Sequence, residues 1–504
     1  MDSESKLARL KSLLNEVQDL YAIIGLLQWD LETYMPPAGN HGRSYQLSTL
    51  TRIHHLKFTS PEIGLLLEDL KPYAAQLDPD SDNTRLIKVT DRIYQKKIRV
   101  PADLVAAFAR ATGEAHPAWE KARAESNFSI FRPHLETIID LRRQYADCFT
   151  PYDHVYDPLL DDFEPGLKTA EVQAIFAPLR AKQVELVQAI TTRPQVDDSF
   201  LHQPFDVDNQ WKFGVEVITR FGFDWQRGRQ DRSTHPFTIG IGPGDVRITT
   251  RFLPDYAPSA LFSTTHECGH ALYEMGVDPE LARTPLEQAA SYAIHESQSR
   301  LYENIVSRSR HFWIFFYPRL RELFPTQLGN VSLDAFYRAI NKVEPSLIRV
   351  EADEATYNLH PMLRLELEMA LMEGSLEAKD LPEAWNAAMQ AYLGLTPPND
   401  AQGVLQDIHW AHGHLGYFAT YALGNLIAGQ LWERVLEDIP DLPEQFERGE
   451  FAGLTAWMRE KIHRHGAKFE PQELVERVTG TKIDSAPYLR YLSKKYGDIY
   501  GFSM

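Results

Sequence analysis

The sequence predicts a mainly α-helical protein carrying one small β element. Apolar residues recur at intervals of three and four along both the N-terminal third and the part beyond residue 285, which is the stripe of amphipathic helices. Only one stretch alternates with the period of a strand. Composition is that of an ordinary folded protein, 43% apolar and 24% charged over 504 residues, with no low-complexity tract and no repeat period.

Taken in order, Leu7, Leu10, Leu14, Val17 and Tyr21 open the first helix. Helical patterning continues to about Pro165, with breaks at Met35-Pro36-Pro37-Ala38-Gly39, Ser60-Pro61, Asp78-Pro79-Asp80 and Pro151 to Pro165, where proline ends helices. These breaks read as loops inside a bundle. Between His235 and Leu253, Phe237–Ile241 and Val246–Thr250 alternate around Gly242-Pro243-Gly244-Asp245, the pattern of a hairpin. Ser259 to Glu274 then reads as a helix closed by Gly276. Helices resume after residue 285 with breaks at Pro325-Thr326, Thr396 to Asp400 and Asp438 to Pro443. The aromatic run His311 to Tyr317 reads as core or subunit contact.

Charge excludes several function classes. Lys and Arg number 52 against 70 Asp and Glu, and a net charge of −18 repels a phosphate backbone, so nucleic acid is not an expected partner. The opening Met1 to Lys6 lacks a basic region followed by an apolar one, and no run of about 18 apolar residues occurs, so no membrane association is expected. The only cysteines are Cys148 and Cys268, too few for a disulfide-stapled scaffold, and the expected compartment is the cytoplasm.

The chemistry concentrates in His266-Glu267-Cys268-Gly269-His270. Four residues advance a helix by about 400°, so both imidazoles lie about 40° apart on one face, within reach of one metal ion. Glu267 sits about 100° round from His266, placed to take a proton from water without being a ligand, while Cys268 points elsewhere. An HExxH is expected by chance about 0.05 times in such a chain.

A catalytic zinc site needs a third protein ligand and one open position. The extended HExxHxxGxxH form fails, because Tyr273 and Gly276 stand at its glycine and histidine positions. Thr284-Pro285-Leu286-Glu287 has the N-cap, N1 proline and N3 glutamate of a helix start. A residue about three turns into that helix, either His295 or Glu296, faces the histidines, and a carboxylate would partly neutralise the ion. Glu274 is disfavoured, because ligands at i, i+4 and i+8 spread over about 12 Å.

Six motifs in order carry a family resemblance: His235-Pro236-Phe237, Asp245 to Thr249 as DxRxT, HECGH itself, His295-Glu296-Ser297-Gln298, Ile348 to Asp353 as IRxxAD, and Gly403 to Trp410 as GxxQDxHW. With Leu27-Gln28-Trp29-Asp30 and Met35-Pro36, the chain resembles the carboxypeptidase Taq family of thermostable metallocarboxypeptidases over nearly its whole length. The resemblance implies a zincin-like helical body around a long central groove, with a small sheet beside the HExxH helix. It implies one domain over 1–504, with a lid-like part about 1–80, the metal site in 235–300 and a groove wall in 345–425. It further implies a homodimer, peptide substrates and release of single C-terminal residues with broad specificity. Glu296 matches the family's zinc-binding glutamate, and the bound ion would be Zn2+, with Co2+ or another divalent ion also fitting. Ala419 stands where the family pattern expects proline.

Arg349 resembles the family arginine that receives the terminal carboxylate, a task suited to the two parallel hydrogen bonds of a guanidinium. On spacing alone it reads as an ion-pair partner of Asp353 at i+4. Arg247, Gln406, His235, His409, Tyr417 and Tyr421 are further substrate-binding candidates, the His and Tyr residues as donors to a developing oxyanion. Their alternative is packing and core hydrogen bonding. Arg300, one turn beyond Glu296, reads as its ion-pair partner. The expected activity is that of a zinc carboxypeptidase with Glu267 as base. Its rivals are an endopeptidase or aminopeptidase on the same metal site, or a helical scaffold that binds metal or peptide without turnover.

Overall fold

Helix α1 (Ser3–Thr33) begins where the Asp2 carboxylate accepts the Ser5 amide, and it stops at the Met35-Pro36-Pro37 break. The computed structural model describes residues 2–503, and 68% of the chain is helical. Leu7, Leu10, Leu14 and Val17 are buried as the periodicity requires, whereas Tyr21 is 45% exposed because its face of α1 borders a groove. α2 (Asn40–Phe58), α3 (Pro61–Ala74), α4 (Asp82–Arg99), α5 (Ala102–Glu125) and α6 (Phe128–Asp147) follow, separated by proline-containing turns except at Ser126-Asn127 between α5 and α6. The Pro151–Pro165 break contains one helical turn, α7 (Asp157–Leu160), before α8 (Thr169–Thr191) and α9 (Val207–Phe221).

The hairpin forms as β2 (Thr238–Gly242) and β3 (Asp245–Thr250), with an irregularity between Gly240 and Gly242. It belongs to a larger unit than the sequence suggested. β1 (Gly228–Arg232) runs parallel to β3 on its other side, giving the order β1-β3-β2. Its sequence, Gly-Arg-Gln-Asp-Arg, has no apolar side chain to betray it, and the residues it buries are Gln230 and Asp231. β2 is left with a free edge.

α10 (Ala257–Gly276) carries HECGH, and α11 (Tyr292–Arg300) lies against it before widening into a π turn over Leu301–Val306. The helix start expected at Thr284 is a single 3₁₀ turn, Pro285–Glu287. Glu287 accepts the Arg283 amide at 2.5 Å instead of closing a capping box on Thr284, and α11 starts at Tyr292 with Ser291 as its cap. Glu296 is therefore the fifth residue of its helix, one turn in rather than three. Two glycines permit the approach: a Cβ at Gly269 would stand 2.5 Å from the Gln298 carbonyl oxygen, and one at Gly424 would stand 2.6 Å from Cγ of Glu296. The second glycine belongs to the helix Ala419–Asp438, which packs along α11. The aromatic run is core, with Phe312, Trp313, Phe316 and Tyr317 buried.

A groove of about 640 Å3 is lined by Tyr21 and Gln28 of α1, Val89 of α4, Thr238 and Gly240 of β2 and His295 of α11. The segment from Tyr156 to Glu164 fastens its walls through two fully buried carboxyls. Glu164 accepts the Ala293 amide at 2.6 Å, in the first turn of α11. Glu368, on the helix Leu359–Glu373, accepts from the Tyr156 hydroxyl, from Trp410 Nε1 at 2.7 Å and from the Gly416 amide at 3.0 Å. Burial pushes Glu164 up to about 8 and Glu368 up to about 7. Since the unfolded carboxyls ionise near 4.5, the folded protein holds extra protons between that value and the raised ones, and stability falls as pH rises through the window. Glu164→Gln removes that loss while keeping an acceptor. Its unfolding free energy relative to the parent should rise by roughly 2–4 kcal/mol between pH 5 and pH 8.5 in urea titrations.

Candidate metal centre and active site

On α10 the imidazoles of His266 and His270 lie one turn apart, their ring centroids separated by 4.9 Å. Glu296 meets them from α11: its Oε2 is 3.7 Å from His266 Nε2 and 3.5 Å from His270 Nε2. Ligands about 2.0–2.1 Å from a tetrahedral ion stand about 3.3–3.4 Å apart, so this donor set fits a divalent cation with little adjustment. The alternatives, His295 and Glu274, pair with each other at 2.8 Å, and the His295 ring stacks on His270 at 4.3 Å. Cys268 is wholly buried on the opposite side of α10 and its thiol is pushed up by burial.

A second group of side chains fixes the first. Glu303, in the π turn, lies 2.8 Å from His266 Nδ1 as its acceptor, an orientation that turns Nε2 towards Glu296. Arg300 donates to Glu296 at 2.7 Å and to Glu303 at 3.1 Å, the ion pair that the i, i+4 spacing announces. Burial favours the neutral acids, but Arg300 and the histidines outweigh it: Glu296 lies well below the usual carboxylate range and Glu303 at about 2. Burial also opposes charge on His266, yet Glu296 and Glu303 raise it. The carboxylates thus draw positive charge to this point. His270, by contrast, is held down to about 3 by burial and by His295, so it is neutral and able to act as a ligand.

Glu267 is 6% exposed, and its Oε2 accepts from the Thr238 hydroxyl at 2.7 Å. The same hydroxyl is 3.0 Å from the Glu267 carbonyl, so the edge strand β2 is anchored beside this carboxylate. Burial, with Glu296 nearby, raises its pKa and makes it a better proton acceptor than a free glutamate.

Five of the remaining candidates gather in a neighbouring cluster. Arg349 is 6% exposed in the short turn Arg349–Glu351, and its guanidinium pairs with Asp407 at 2.8 Å, not with Asp353. A one-turn 3₁₀ element cannot offer the i, i+4 geometry on which the Asp353 pairing depends. Gln406 accepts the Arg349 amide at 2.9 Å and donates to the Leu347 and Gln402 carbonyls, so it brackets that turn. His409 meets the Tyr421 hydroxyl at 3.3 Å and is held down to about 3 by burial, with Asp407 opposing. Tyr417 and Tyr421 lie 5.2 Å apart, both phenols raised by burial, and the Arg349 guanidinium lies 4.8 Å from the Tyr421 ring. Two candidates stand apart. His235 is exposed with no hydrogen-bond partner for its ring among the described residues, and Arg247 is held by Asp245 at 2.8 Å with its guanidinium 4.4 Å above Trp29.

Sequence reasoning missed Glu303, Thr238, Asp407 as the partner of Arg349, Arg364 as a second guanidinium on Asp407 at 2.7 Å, and Tyr357 between the two clusters. Thr238 follows directly after His-Pro-Phe and Asp407 lies inside GxxQDxHW, so both sat within motifs already singled out. Glu303 carried no local signal.

Helical walls closed around an HExxH helix and its partner carboxylate are those of a metallopeptidase. A family model described as Carboxypeptidase Taq (M32) metallopeptidase matches residues 9–496, and the chain belongs to that family. Thermostable carboxypeptidase 1 of Thermus thermophilus is 42% identical over 99% of this chain and 100% of its own, and Carboxypeptidase 1 of Bacillus subtilis is 38% identical over 97% of each. The crystal structure of an M32 carboxypeptidase from Deinococcus radiodurans R1 superposes with a TM-score of 0.96 at 39% identity, covering 99% of this chain and 100% of that one. The protein is thus a metallocarboxypeptidase, a hydrolase of peptide bonds. Among the described residues no helix is long and apolar enough to cross a membrane.

Glu303 is not itself one of the three donors, but it holds His266 directly and shares Arg300 with Glu296, so replacing it tests the support behind the donor set. Glu303→Gln should lower metal affinity about 10- to 100-fold in chelator competition while circular dichroism stays unchanged.

Proposed function

We propose that the protein is a zinc carboxypeptidase of broad specificity that releases single residues from peptide C-termini, with His266, His270 and Glu296 as ligands and Glu267 as general base. The observation that carries this reading is the convergence of those three donors within 4.8 Å of one another, beside a buried glutamate that is not one of them. A zinc ion held by His266, His270 and Glu296 would supply Lewis acidity, lowering the pKa of water towards neutrality and polarising a carbonyl.

The residues of the chain do the rest. Glu267, aimed by Thr238, takes the proton of the attacking water and returns it to the leaving amine. The free edge of β2 holds the substrate backbone as an added strand. Arg349 receives the terminal carboxylate: Arg349 and Arg364 share the single carboxylate Asp407, and that surplus of one positive charge suits an incoming anion. Tyr417 and Tyr421 remain protonated and serve as donors to charge developing on the carbonyl oxygen. Cys148 and Cys268, both free thiols, agree with a cytoplasmic location, and family resemblance supports a homodimer.

Two measurements test this. Glu267→Gln should retain stoichiometric zinc by metal analysis and lose peptidase turnover at least 1000-fold, about 4 kcal/mol of transition-state stabilisation. Full activity in that variant would sink the assignment. For Arg349, amidating the peptide C-terminus should lower kcat/KM about 10- to 100-fold, the weight of a charged hydrogen-bonded contact. Arg349→Lys should cause a similar loss on free-acid peptides, mainly through KM, and make the enzyme nearly indifferent to amidation. Undiminished cleavage of amidated peptides by the parent enzyme would rule out carboxylate capture.

A further inference from the structure

A second cavity, of about 410 Å3, opens off the groove and shares Arg92, Ile93, Lys97 and Asp162 with it. It is lined by residues of α4, α5 and α6, with His55 of α2 and the Asp161-Asp162 pair that follows α7. Its lining contains four cations, Arg92, Lys96, Lys97 and Arg142, against two carboxylates, Asp161 and Asp162. That surplus of two positive charges sits on a protein whose net charge is −18.

The carboxylates are already engaged. Asp161 takes Lys96 at 2.6 Å, Arg92 at 3.5 Å and the Gly166 amide at 2.8 Å. Asp162 takes Lys96 at 2.8 Å, the Tyr145 hydroxyl at 2.6 Å and, at 3.8 Å, Arg142. Arg142 is further committed to the Gly413 carbonyl at 2.7 Å and lies 4.4 Å over Phe108. Lys97 is the cation left over: among the described residues its ammonium has neither an ion pair nor a hydrogen bond. It keeps accessible surface while the walls crowd round it, so burial lowers its pKa, with Lys96 adding to that and Asp162 opposing. Across the gap on α2, burial and the charge of Lys97 lower His54 and His55, leaving both neutral, so neither competes as a cation. The remaining lining is apolar and includes Val100, Leu104, Phe108 and Leu141.

An unpaired, solvent-accessible ammonium beside an apolar wall, in a cavity continuous with the groove, suits a carboxylate side chain next to an apolar one. We infer that this cavity is a subsite for the substrate chain upstream of the scissile bond, in which Lys97 selects for an acidic residue of the peptide. The inference rests on the carboxypeptidase reading, which sets the upstream chain running away from Arg349 along the groove.

The test is a positional scan. Unblocked peptides of about eight residues, identical except for Glu or Gln at one successive upstream position, are compared by kcat/KM for release of the C-terminal residue at low and at 0.5 M salt. At one position Glu should be preferred about three- to tenfold, and the preference should shrink in salt. In Lys97→Met that ratio should fall to about one, and in Lys97→Arg it should persist. A ratio near one at every position in the parent, or an undiminished ratio in Lys97→Met, overturns the inference and leaves the carboxypeptidase reading intact. Absence of C-terminal release from the Gln peptides as well would overturn both.

Discussion

Glu296 is a buried carboxylate that must stay ionised, and much of the molecule is arranged to make that possible. An unpaired charge in such a position costs several kcal/mol. Here Arg300 lies 2.7 Å from Oε1 on the same helix, and Oε2 has the Ser299 hydroxyl at 3.1 Å and two imidazoles facing it. Those partners converge only because three helices pack closely, and that depends on Gly269 and Gly424, where any Cβ would collide with α11. The π turn after Arg300 belongs to the same solution. By widening the helix at Leu301–Val306 it brings Glu303 round to His266, so one continuous element supplies both a metal donor and the carboxylate that orients another.

The same arginine joins the metal centre to the cluster around Arg349. Its guanidinium lies 4.3 Å over the Tyr357 ring, and the Tyr357 hydroxyl accepts from Arg349 at 3.0 Å. Beyond Arg349 the chain of contacts continues through Asp407 to Arg364. Both clusters therefore hang on one ladder of alternating charge and aromatic faces, with a single tyrosine between them. On the proposed roles, an anchor for a terminal carboxylate tied in this way to the metal donors would fix which peptide bond arrives at Glu267. Removal of one residue at a time would follow from that spacing, without a pocket that reads side chains.

How much of this was legible in the sequence depended on whether the determinant was local. Helix ends at Met35-Pro36-Pro37 and Ser60-Pro61, the hairpin turn and the shared face of His266 and His270 all follow from dihedral preferences and period, and each appears where expected. The Thr284 helix start failed because Glu287 found a nearer donor in the Arg283 amide, a competition that a capping pattern cannot reveal. β1 was invisible because a parallel partner is chosen by distant residues and its own buried side chains are polar. Glu303, Asp407 and Arg364 were missed for a related reason: each matters through a contact at least 37 residues away in sequence. Glu296 was reachable as one of two candidates by geometry, and only resemblance separated it from His295.

The groove combines two kinds of recognition with different sensitivity to sequence. The free edge of β2 can pair only with backbone groups, which every peptide offers alike, and the carboxylate proposed to meet Arg349 is one that every unmodified chain also carries. These contacts favour tolerance of many substrates. Selectivity must come from isolated features set apart from them, because a contact with a variable side chain at the cut itself would narrow the range of residues released. Unpaired charge is the natural form for such a feature. In a protein of net charge −18 an acidic peptide is repelled at long range, and a local unpaired cation such as Lys97 would offset that repulsion at contact distance, an attraction that salt weakens.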